Sequence, residues 1–162
     1  MYFERYARTV AHAFGNEIPF VITLNEPDVV TSHGYLLGKW PPQKKGLFSF
    51  LQATRHLVQA HKKAYRVLKA HNPQCQIGIA KHQVAFIVAS RNPWNLFLKK
   101  IADFFWNDLW LIAIRQHQDF LGLNHYHPHL IDGWYNKNKN EQVTDFGWEY
   151  IPESLEHALL QL

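Results

Sequence analysis

Apolar positions along the chain follow a helical period in some segments and form short continuous runs in others. Residues 2–14 predict a first helix, which Gly15 closes as a typical C-terminal residue. Apolar residues three and four positions apart predict a second helix over 49–70. A third, largely helical stretch covers 93–118, and a last helix begins at Pro152. The sequence also predicts a long loop after Pro27, which contains Gly34 and Gly46, and a polar loop at 137–140.

Three short apolar runs lie between these helices and are typical of buried strands. They cover 18–24, 76–80 and 119–126, and the apolar pattern resumes beyond a turn at 84–88. Nearly continuous apolar runs are found in strands covered on both faces, as in parallel sheets. Because long helices separate the strands, the order of elements predicts right-handed βαβ units.

Two architectures satisfy this order, a doubly wound sheet and a (β/α)8 barrel. A phosphate-binding glycine loop after a strand would favour the first, and the sequence has none. Polar residues instead follow the strands, at Asn25-Glu26, Lys81-His82 and Asn124-His125-Tyr126. Barrel enzymes carry their chemistry at such strand ends. We therefore predict an α/β fold in which residues 1–162 form a single incomplete TIM-barrel domain with about three parallel strands.

Composition supports one globular domain with a packed core. Hydrophobic residues make up 47% of the 162 residues, too many for a disordered chain. Six Trp, seven Tyr and eleven Phe are many for this length, and aromatic rings serve either as core or as platforms for sugars. The single cysteine, Cys75, excludes an internal disulfide and a multi-cysteine zinc site, and we expect it to be buried and inert.

The net charge of +4 and the pI of about 9.2 raise the question of a nucleic-acid partner. The lysine pairs are spread along the chain without an aromatic-basic module or a recognition helix, so we expect none. The apolar stretch 104–114 contains Asn107 and Asp108 and is too short for a bilayer. The first residues lack signal-peptide architecture. We expect a cytoplasmic protein without a membrane partner.

Glu26 is the sharpest candidate for chemistry. It directly follows a predicted buried strand and precedes Pro27, which ends that strand at the mouth of the predicted barrel. General acids for glycosidic cleavage are carboxyl groups at such partly buried positions. Asn25 adds a side chain that donates and accepts hydrogen bonds, as a sugar hydroxyl requires. A structural ion pair between Glu26 and a basic residue is the competing interpretation.

The residues around Glu26 form a motif with a known counterpart. Thr23-Leu24-Asn25-Glu26-Pro27 matches in full the acid/base motif of glycoside hydrolase family 1, the β-glucosidase family, which this chain resembles. Further family-like segments follow in the family's order: Phe14-Gly15-Asn16, His33-Gly34-Tyr35, a helix with His56 and His61, 119–124 with Tyr126, and Gly147-Trp148-Glu149. The resemblance assigns the three strands to the fourth to sixth strands of the family's barrel.

The resemblance implies roles for four residues. Glu26 would be the general acid and then the general base of a retaining β-glycosidase, and Asn25 would hold the sugar 2-hydroxyl. Tyr126 would hydrogen-bond the nucleophile, and Asn124 would line the same pocket. The implied partner is a β-glucoside or a related carbohydrate, and the resemblance implies neither a cofactor nor a metal.

Departures from the family concern the substrate cleft and the nucleophile. His125 stands where the family usually has another aromatic residue, and 89–118 is shorter than the family's usual connection. The nucleophile motif Glu-Asn-Gly does not occur in the sequence, and Glu149 and Glu153 precede a helix rather than end a strand. Retaining hydrolysis needs two carboxyl groups about 5 Å apart. We therefore expect this chain to be inactive alone.

Two other functions stay open at this point. One is a catalytically inactive half-barrel, derived from the family, that binds sugar or is merely structural. The other is a metal-dependent hydrolase, because His125, His127 and His129 alternate in an extended segment that would point their imidazoles to one side. Asp119 precedes the third strand, at the face of a barrel that serves stability, so we expect it to be structural.

Three strands of an eight-stranded barrel leave two edges unpaired. These edges would lie at the strands that end in Glu26 and Tyr126. Helix faces that pack against neighbouring barrel units would also be bare, a large apolar exposure. We therefore expect the chain to self-associate or to pair with complementing barrel segments.

Overall fold

The computed structural model describes residues 2–136 and 142–162. Its α-helices are α1 Tyr2–Phe14, α2 Pro27–Thr31, α3 Leu47–His71, α4 Pro93–Ala102, α5 Leu109–Ile114 and α6 Ser154–Leu159. Its strands are β1 Phe20–Asn25, β2 Gln76–His82, β3 Phe86–Val88, β4 Phe120–Asn124, β5 His129–Asp132 and β6 Tyr135–Asn136. π-Helical turns at Ser32–Leu36 and Asp103–Asp108 follow α2 and α4.

The predicted helices are present, with some ends adjusted. α1 has the predicted bounds, and α3 is slightly longer than predicted at both ends. The stretch 93–118 is divided into α4, a π-helical turn and α5, and its helical part ends at Ile114. α4 begins where predicted because Pro93 needs no N–H partner at the first helical position, and the Asn92 side chain accepts a backbone N–H of the first turn.

The segment after β1 differs from the prediction of a long loop with Gly34 and Gly46. Its first part is α2, followed by the π-helical turn. Pro27 ends the strand, as predicted, but proline also suits the first turn of a helix. The Thr31 hydroxyl then donates to the Pro27 carbonyl oxygen at 3.0 Å, which satisfies a polar group of this short, buried helix.

The chain divides into two compact units, and the first comprises residues up to 82 together with 110–123. Strands β1, β2 and β4 form its sheet in that order, so β1 and β4 are the edges, as predicted. β1 and β2 run parallel, which agrees with the predicted βαβ units. β4 ends at Asn124, so Tyr126 lies beyond the strand that was predicted to contain it.

An apolar core joins the helices of the first unit to its sheet. Buried residues from α1, α3 and β2 form it, with neighbouring side chains packed around them: Ala11, Leu68, Cys75 and Ile77, with Val21, Tyr65 and Val67. Cys75 is buried, as predicted, and burial raises the pKa of its thiol. A buried thiol with a raised pKa is a weak nucleophile, which agrees with the expectation of an inert cysteine.

Asp119 fastens the start of β4 to this core. Its carboxylate accepts the backbone N–H of Ile77 at 2.9 Å and pairs with the Lys69 ammonium at 2.9 Å. Burial acts in the opposite direction, but these partners together lower the pKa of Asp119. The structural role predicted for Asp119 agrees with these contacts.

The second unit comprises 83–109 and 124–162. Its strands have the order β3-β5-β6, in which β3 and β5 are parallel and β5 and β6 antiparallel. Asn107 anchors the π-helical turn to the start of β3, because its side chain accepts the N–H of Val84 at 3.1 Å and donates to the Val84 oxygen at 2.9 Å. β5 and β6 were not predicted, and the polar loop predicted at 137–140 lies outside the described residues.

Membrane insertion was not expected from the sequence. Within 2–136 and 142–162, no helix combines the length and the apolar character that a bilayer span requires.

Candidate active site

A β-bulge carries the first candidate residues to the carboxyl end of β1. Ile22 lies opposite Gly78 and Asn25 lies opposite Ala80, so three steps along β1 match two steps along β2. Because side chains alternate between the faces of a strand, the extra residue places Asn25 on the face of Ile22 rather than on that of Thr23. Bulges of this kind redirect side chains next to active sites.

Glu26 occupies a constrained position directly after the bulge. Its backbone is left-handed, with φ 45° and ψ 54°, a conformation that costs a non-glycine residue roughly 1–3 kcal/mol. Its N–H donates to the Ala80 oxygen at 2.7 Å, and its own carbonyl accepts the N–H of Val30 at 3.0 Å. The side chain is partly exposed, and Pro27 behind it is buried. Hydrogen bonds to β2 and α2 therefore hold the Glu26 backbone in a sparsely populated conformation at the end of β1.

A buried histidine, His61, holds β1 in place through a hydrogen bond to Thr23. His61 of α3 is fully buried, and its Nε2–H donates to the carbonyl oxygen of His117 at 2.7 Å. In the neutral ring Nδ1 then accepts a hydrogen bond from the Thr23 hydroxyl, at 2.6 Å. Burial lowers the pKa of His61, which favours this neutral form. Thr23 thereby ties β1 to α3 three residues before Glu26.

Asp28 and Lys81 form a buried charged pair beside the same turn. Asp28 is 4% exposed and Lys81 is fully buried, with 3.8 Å between Oδ2 and Nζ. Nζ donates to the carbonyl oxygen of His82 at 2.8 Å, whereas neither oxygen of Asp28 has a hydrogen-bond partner among the described residues. Lys81 is predicted from the sequence only as a polar residue at a strand end, and Asp28 is not predicted, because no local pattern joins positions so far apart.

Burial raises the pKa of Asp28 to about 6, although the Lys81 charge lowers it, and the Glu26 charge adds to the increase. Since the folded state holds this proton more tightly than the unfolded chain, the resulting stabilisation is complete below the unfolded pKa of 3.8. It disappears as the pH rises through about 6. At neutral pH the side chain is therefore a buried carboxylate, whose charge is offset in part by Lys81 and by the backbone N–H groups of Asp28 and Val29.

Asp28→Asn should remove this pH dependence. Between about pH 4 and pH 7 the wild-type chain should lose roughly 2 to 2.5 kcal/mol of unfolding free energy relative to the variant, because a pKa unit corresponds to about 1.4 kcal/mol and most of the shift lies within this range. Urea unfolding of both proteins, followed by Trp fluorescence at matched concentration, measures the difference. The lowered histidine pKa values act equally in both proteins and cancel. A difference that stays constant across this range would contradict the raised pKa.

The other two predicted site residues lie in the second unit. The backbone oxygen of Asn124 accepts the N–H of Gln83 at 2.9 Å, which fixes the end of β4. The Tyr126 side chain is 49% exposed, and its ring lies 5.8 Å from that of Trp148. The structure thus pairs Asn25 with Glu26 in the first unit and Asn124 with Tyr126 in the second.

The three alternating histidines, which left a metal-dependent hydrolase open as an alternative, are not grouped as metal ligands. His125 uses both ring nitrogens, Nδ1 with the Gln83 oxygen at 2.9 Å and Nε2 with the Ser154 hydroxyl at 2.7 Å. The rings of His127 and His129 lie 4.7 Å apart. Within 2–136 and 142–162, no three His, Cys, Asp or Glu side chains are grouped so that they could hold a metal ion. The described residues therefore give no support to a metal-dependent hydrolase.

An aromatic stack is the main feature near Tyr126 that the sequence analysis missed. Phe146 stacks on Trp148 with 5.0 Å between ring centroids, and His127 stacks on the same indole at 4.8 Å. Phe146 is 80% exposed. The sequence offered only the excess of aromatic residues as a sign of such a platform. The later carboxylates have other environments, since Glu149 is buried and Glu153 directly precedes α6 without a side-chain capping hydrogen bond.

Comparison with known proteins identifies the family. The sequence model described as glycosyl hydrolase family 1 matches residues 1–111. The chain is 29% identical over 192 aligned positions to a 1,4-beta-D-glucan glucohydrolase of Thermotoga neapolitana, covering 95% of this chain and 45% of that protein. It is 27% identical to beta-glucosidase A of Thermotoga maritima, covering 95% of this chain and 43% of that protein. The chain thus spans less than half the length of these curated relatives.

Solved structures agree with the sequence comparisons. The beta-glucosidase from Thermotoga maritima in complex with deoxynojirimycin matches 94% of this chain and 42% of its own, with a TM-score of 0.83 and 26% identity. A beta-glycosidase from Pyrococcus horikoshii matches 99% of this chain and 43% of its own, with a TM-score of 0.87 and 25% identity. The chain therefore belongs to glycosyl hydrolase family 1, and its fold is part of that family's (β/α)8 barrel.

Proposed function

We propose that this chain carries the acid/base half of a retaining β-glycosidase that cleaves β-glucosides or related sugars. The observation that carries the proposal is the position of Glu26 in a chain of this family. It follows the bulged end of β1 in a left-handed conformation fixed by the Ala80 oxygen. Active sites of barrel enzymes lie at the carboxyl ends of the strands, and strained backbone is concentrated at functional sites.

In the proposed reaction Glu26 acts twice. It first donates its proton to the glycosidic oxygen while a second carboxylate attacks the anomeric carbon, which forms a glycosyl-enzyme intermediate and releases the aglycone alcohol. The Glu26 carboxylate then removes a proton from water, which attacks the same carbon and releases the sugar with retained configuration. Asn25 would hold the sugar 2-hydroxyl, as the family resemblance implies. The second carboxylate would come from residues other than these 162.

The family resemblance implies roles for two residues of the second unit. Tyr126 would hydrogen-bond the nucleophile and Asn124 would line the sugar pocket. The exposed stack of Phe146 and Trp148 offers an apolar surface, onto which the C–H face of a sugar or an aryl aglycone can pack. The partner is accordingly a β-glucoside-type carbohydrate with an apolar or glycosyl leaving group.

We further propose that additional barrel segments cover the free edge of β1. Phe20 and Ile22 on this strand are 64% and 52% exposed, and Tyr6 of the adjoining α1 is 65% exposed. An edge strand with exposed apolar side chains favours pairing with another strand. A second copy of the chain or a polypeptide with the remaining barrel strands can provide it.

Complementation tests the proposed function. When the chain is mixed with a polypeptide that contains the remaining barrel segments of the Thermotoga maritima relative, aryl β-glucoside hydrolysis should appear, although each part alone is inactive. Sedimentation should show the chain alone as self-associated and the mixture as a 1:1 complex. A complex without hydrolysis would favour the inactive half-barrel, and a compact monomer that ignores the added segments would contradict the proposed pairing.

A further inference from the structure

His125 lies between the two predicted site residues of the second unit, and each of its ring nitrogens has a hydrogen-bond partner. Its Nδ1 lies 2.9 Å from the backbone oxygen of Gln83, and its Nε2 lies 2.7 Å from the hydroxyl oxygen of Ser154. Gln83 also donates its N–H to the oxygen of Asn124 at 2.9 Å. Gln83 and the two residues at the end of β4 thus form a closed ring of hydrogen bonds.

The chemistry of the partners fixes the protonation of the imidazole. A carbonyl oxygen can only accept, so Nδ1 must carry a proton to bond to Gln83. In a neutral ring Nε2 then has a free lone pair, and the Ser154 hydroxyl donates to it. Within the neutral ring the contacts therefore require the tautomer with the proton on Nδ1.

A hydroxyl on one ring nitrogen and an acceptor on the other is also the arrangement of a catalytic serine, in which histidine is the base and a third group orients the histidine. Ser154 is only 2% exposed, however, and its hydroxyl stands at the first residue of α6. A nucleophile so deeply buried cannot reach a carbonyl substrate. The hydrogen bonds of His125 therefore hold the surrounding backbone in place and do not activate a nucleophile for acyl transfer.

We propose that His125 is a positioning residue, which in its Nδ1–H form ties the segment 124–126 to Gln83 and to the first turn of α6. Because Asn124 and Tyr126 flank His125 directly, the two hydrogen bonds hold the backbone that directs both side chains. The expected effect of His125 on catalysis rests on the proposed function. The hydrogen bonds of His125 can be tested independently of that function. Phenylalanine at position 125 would preserve an aromatic ring and lose both bonds.

Nitrogen-15 NMR of the histidine rings in the unmodified chain tests the tautomer directly. The expected spectrum has a protonated Nδ1 and an unprotonated Nε2 for His125. A proton on Nε2 in the neutral ring would overturn the inference, whatever the chain does in a glycosidase assay. This measurement uses no variant, so it does not depend on whether a substituted chain folds.

Variants at position 125 then show whether the hydrogen bonds of His125 or only the volume of its ring holds the segment 124–126. His125→Asn keeps an N–H donor near the Nδ1 position, whereas His125→Phe keeps the ring without a donor. Amide hydrogen exchange of Gln83 should be about tenfold faster in His125→Phe and within about twofold of wild type in His125→Asn. His157→Phe, an exposed histidine of α6, is the matched control. Equal exchange in His125→Phe and in the control, or equal acceleration in both position-125 variants, would overturn the inference.

The effect of His125 on catalysis is measured in the complemented enzyme, the complex of this chain with a polypeptide that contains the remaining barrel segments. Residues that orient a site residue commonly contribute ten- to a hundredfold, so His125→Phe should lower kcat about tenfold with less change in KM. His125→Asn should recover most of this loss. If Glu26→Gln left the complemented activity unchanged, the proposed function would fail while the NMR and exchange results on His125 would still stand.

Discussion

Replacing Gly78 with alanine is expected to abolish cooperative folding of the first unit. A Cβ at this position would lie 2.2 Å from the carbonyl oxygen of Phe120 and 3.1 Å from its carbonyl carbon. Both atoms belong to the backbone of β4, which neighbours β2 in the sheet, so no side-chain rotation can relieve the overlap. β2 is the central strand of this sheet, and separating it from β4 would break the pairing between these two strands. The cost should exceed about 3 kcal/mol, a large share of the stability of a small domain.

Far-ultraviolet circular dichroism and urea unfolding at matched concentration measure this effect. Gly133→Ala is the control, because Gly133 has φ +65° but no atom within 4 Å of the added carbon. Its loss should be limited to the conformational penalty of about 1–2 kcal/mol. A Gly78→Ala chain that unfolds cooperatively at the same urea concentration as the control would show that β2 and β4 do not approach as closely as described.

Sequence periodicity predicted the helices and parallel strands well, because burial of a helix stripe or a strand is a local property of the pattern. α1 has the bounds that its apolar spacing predicts, and the order of β1, β2 and β4 follows from the connecting helices. The failures have physical causes. The sequence predicts a loop where α2 lies, because a proline ends a strand as readily as it begins a helix. β5 was missed because its pairing with β3 is distant in the sequence and its residues are partly polar.

The sequence indicates candidate residues for the site but not the contacts that support them. Polar residues at strand ends identified Asn25, Glu26 and Asn124 without knowledge of the fold. The bulge that places Asn25 opposite Ala80 depends on the register of β2, which the sequence of β1 alone does not determine. The pair of Asp28 and Lys81 likewise needs two segments to meet. Local patterns therefore indicate where chemistry lies, whereas its geometry comes from contacts between distant segments.

Glu26→Gln should lower aryl β-glucoside hydrolysis by the complemented enzyme by about a hundred- to ten-thousandfold, the usual contribution of a general acid or base. Glutamine has nearly the same shape and fits the same left-handed turn, but its amide cannot donate a proton to the leaving oxygen. Glu17→Gln makes the same chemical change at an exposed position before β1 and should leave the rate unchanged. Unchanged hydrolysis in Glu26→Gln would remove this carboxyl group from the mechanism.

The dependence on the leaving group distinguishes acid catalysis from a structural role of the same residue. A dinitrophenolate leaves without protonation, so the glycosylation step in Glu26→Ala should be nearly normal with a dinitrophenyl glucoside and severely slowed with an alkyl glucoside. Azide should then accelerate turnover of the dinitrophenyl substrate, because it attacks the glycosyl-enzyme intermediate without a general base, and the product should be the β-glycosyl azide. Steady-state rates and product analysis on the complemented enzyme measure both effects. If removal of Glu26 only disturbed the turn between β1 and α2, both substrates would slow equally and azide would restore neither.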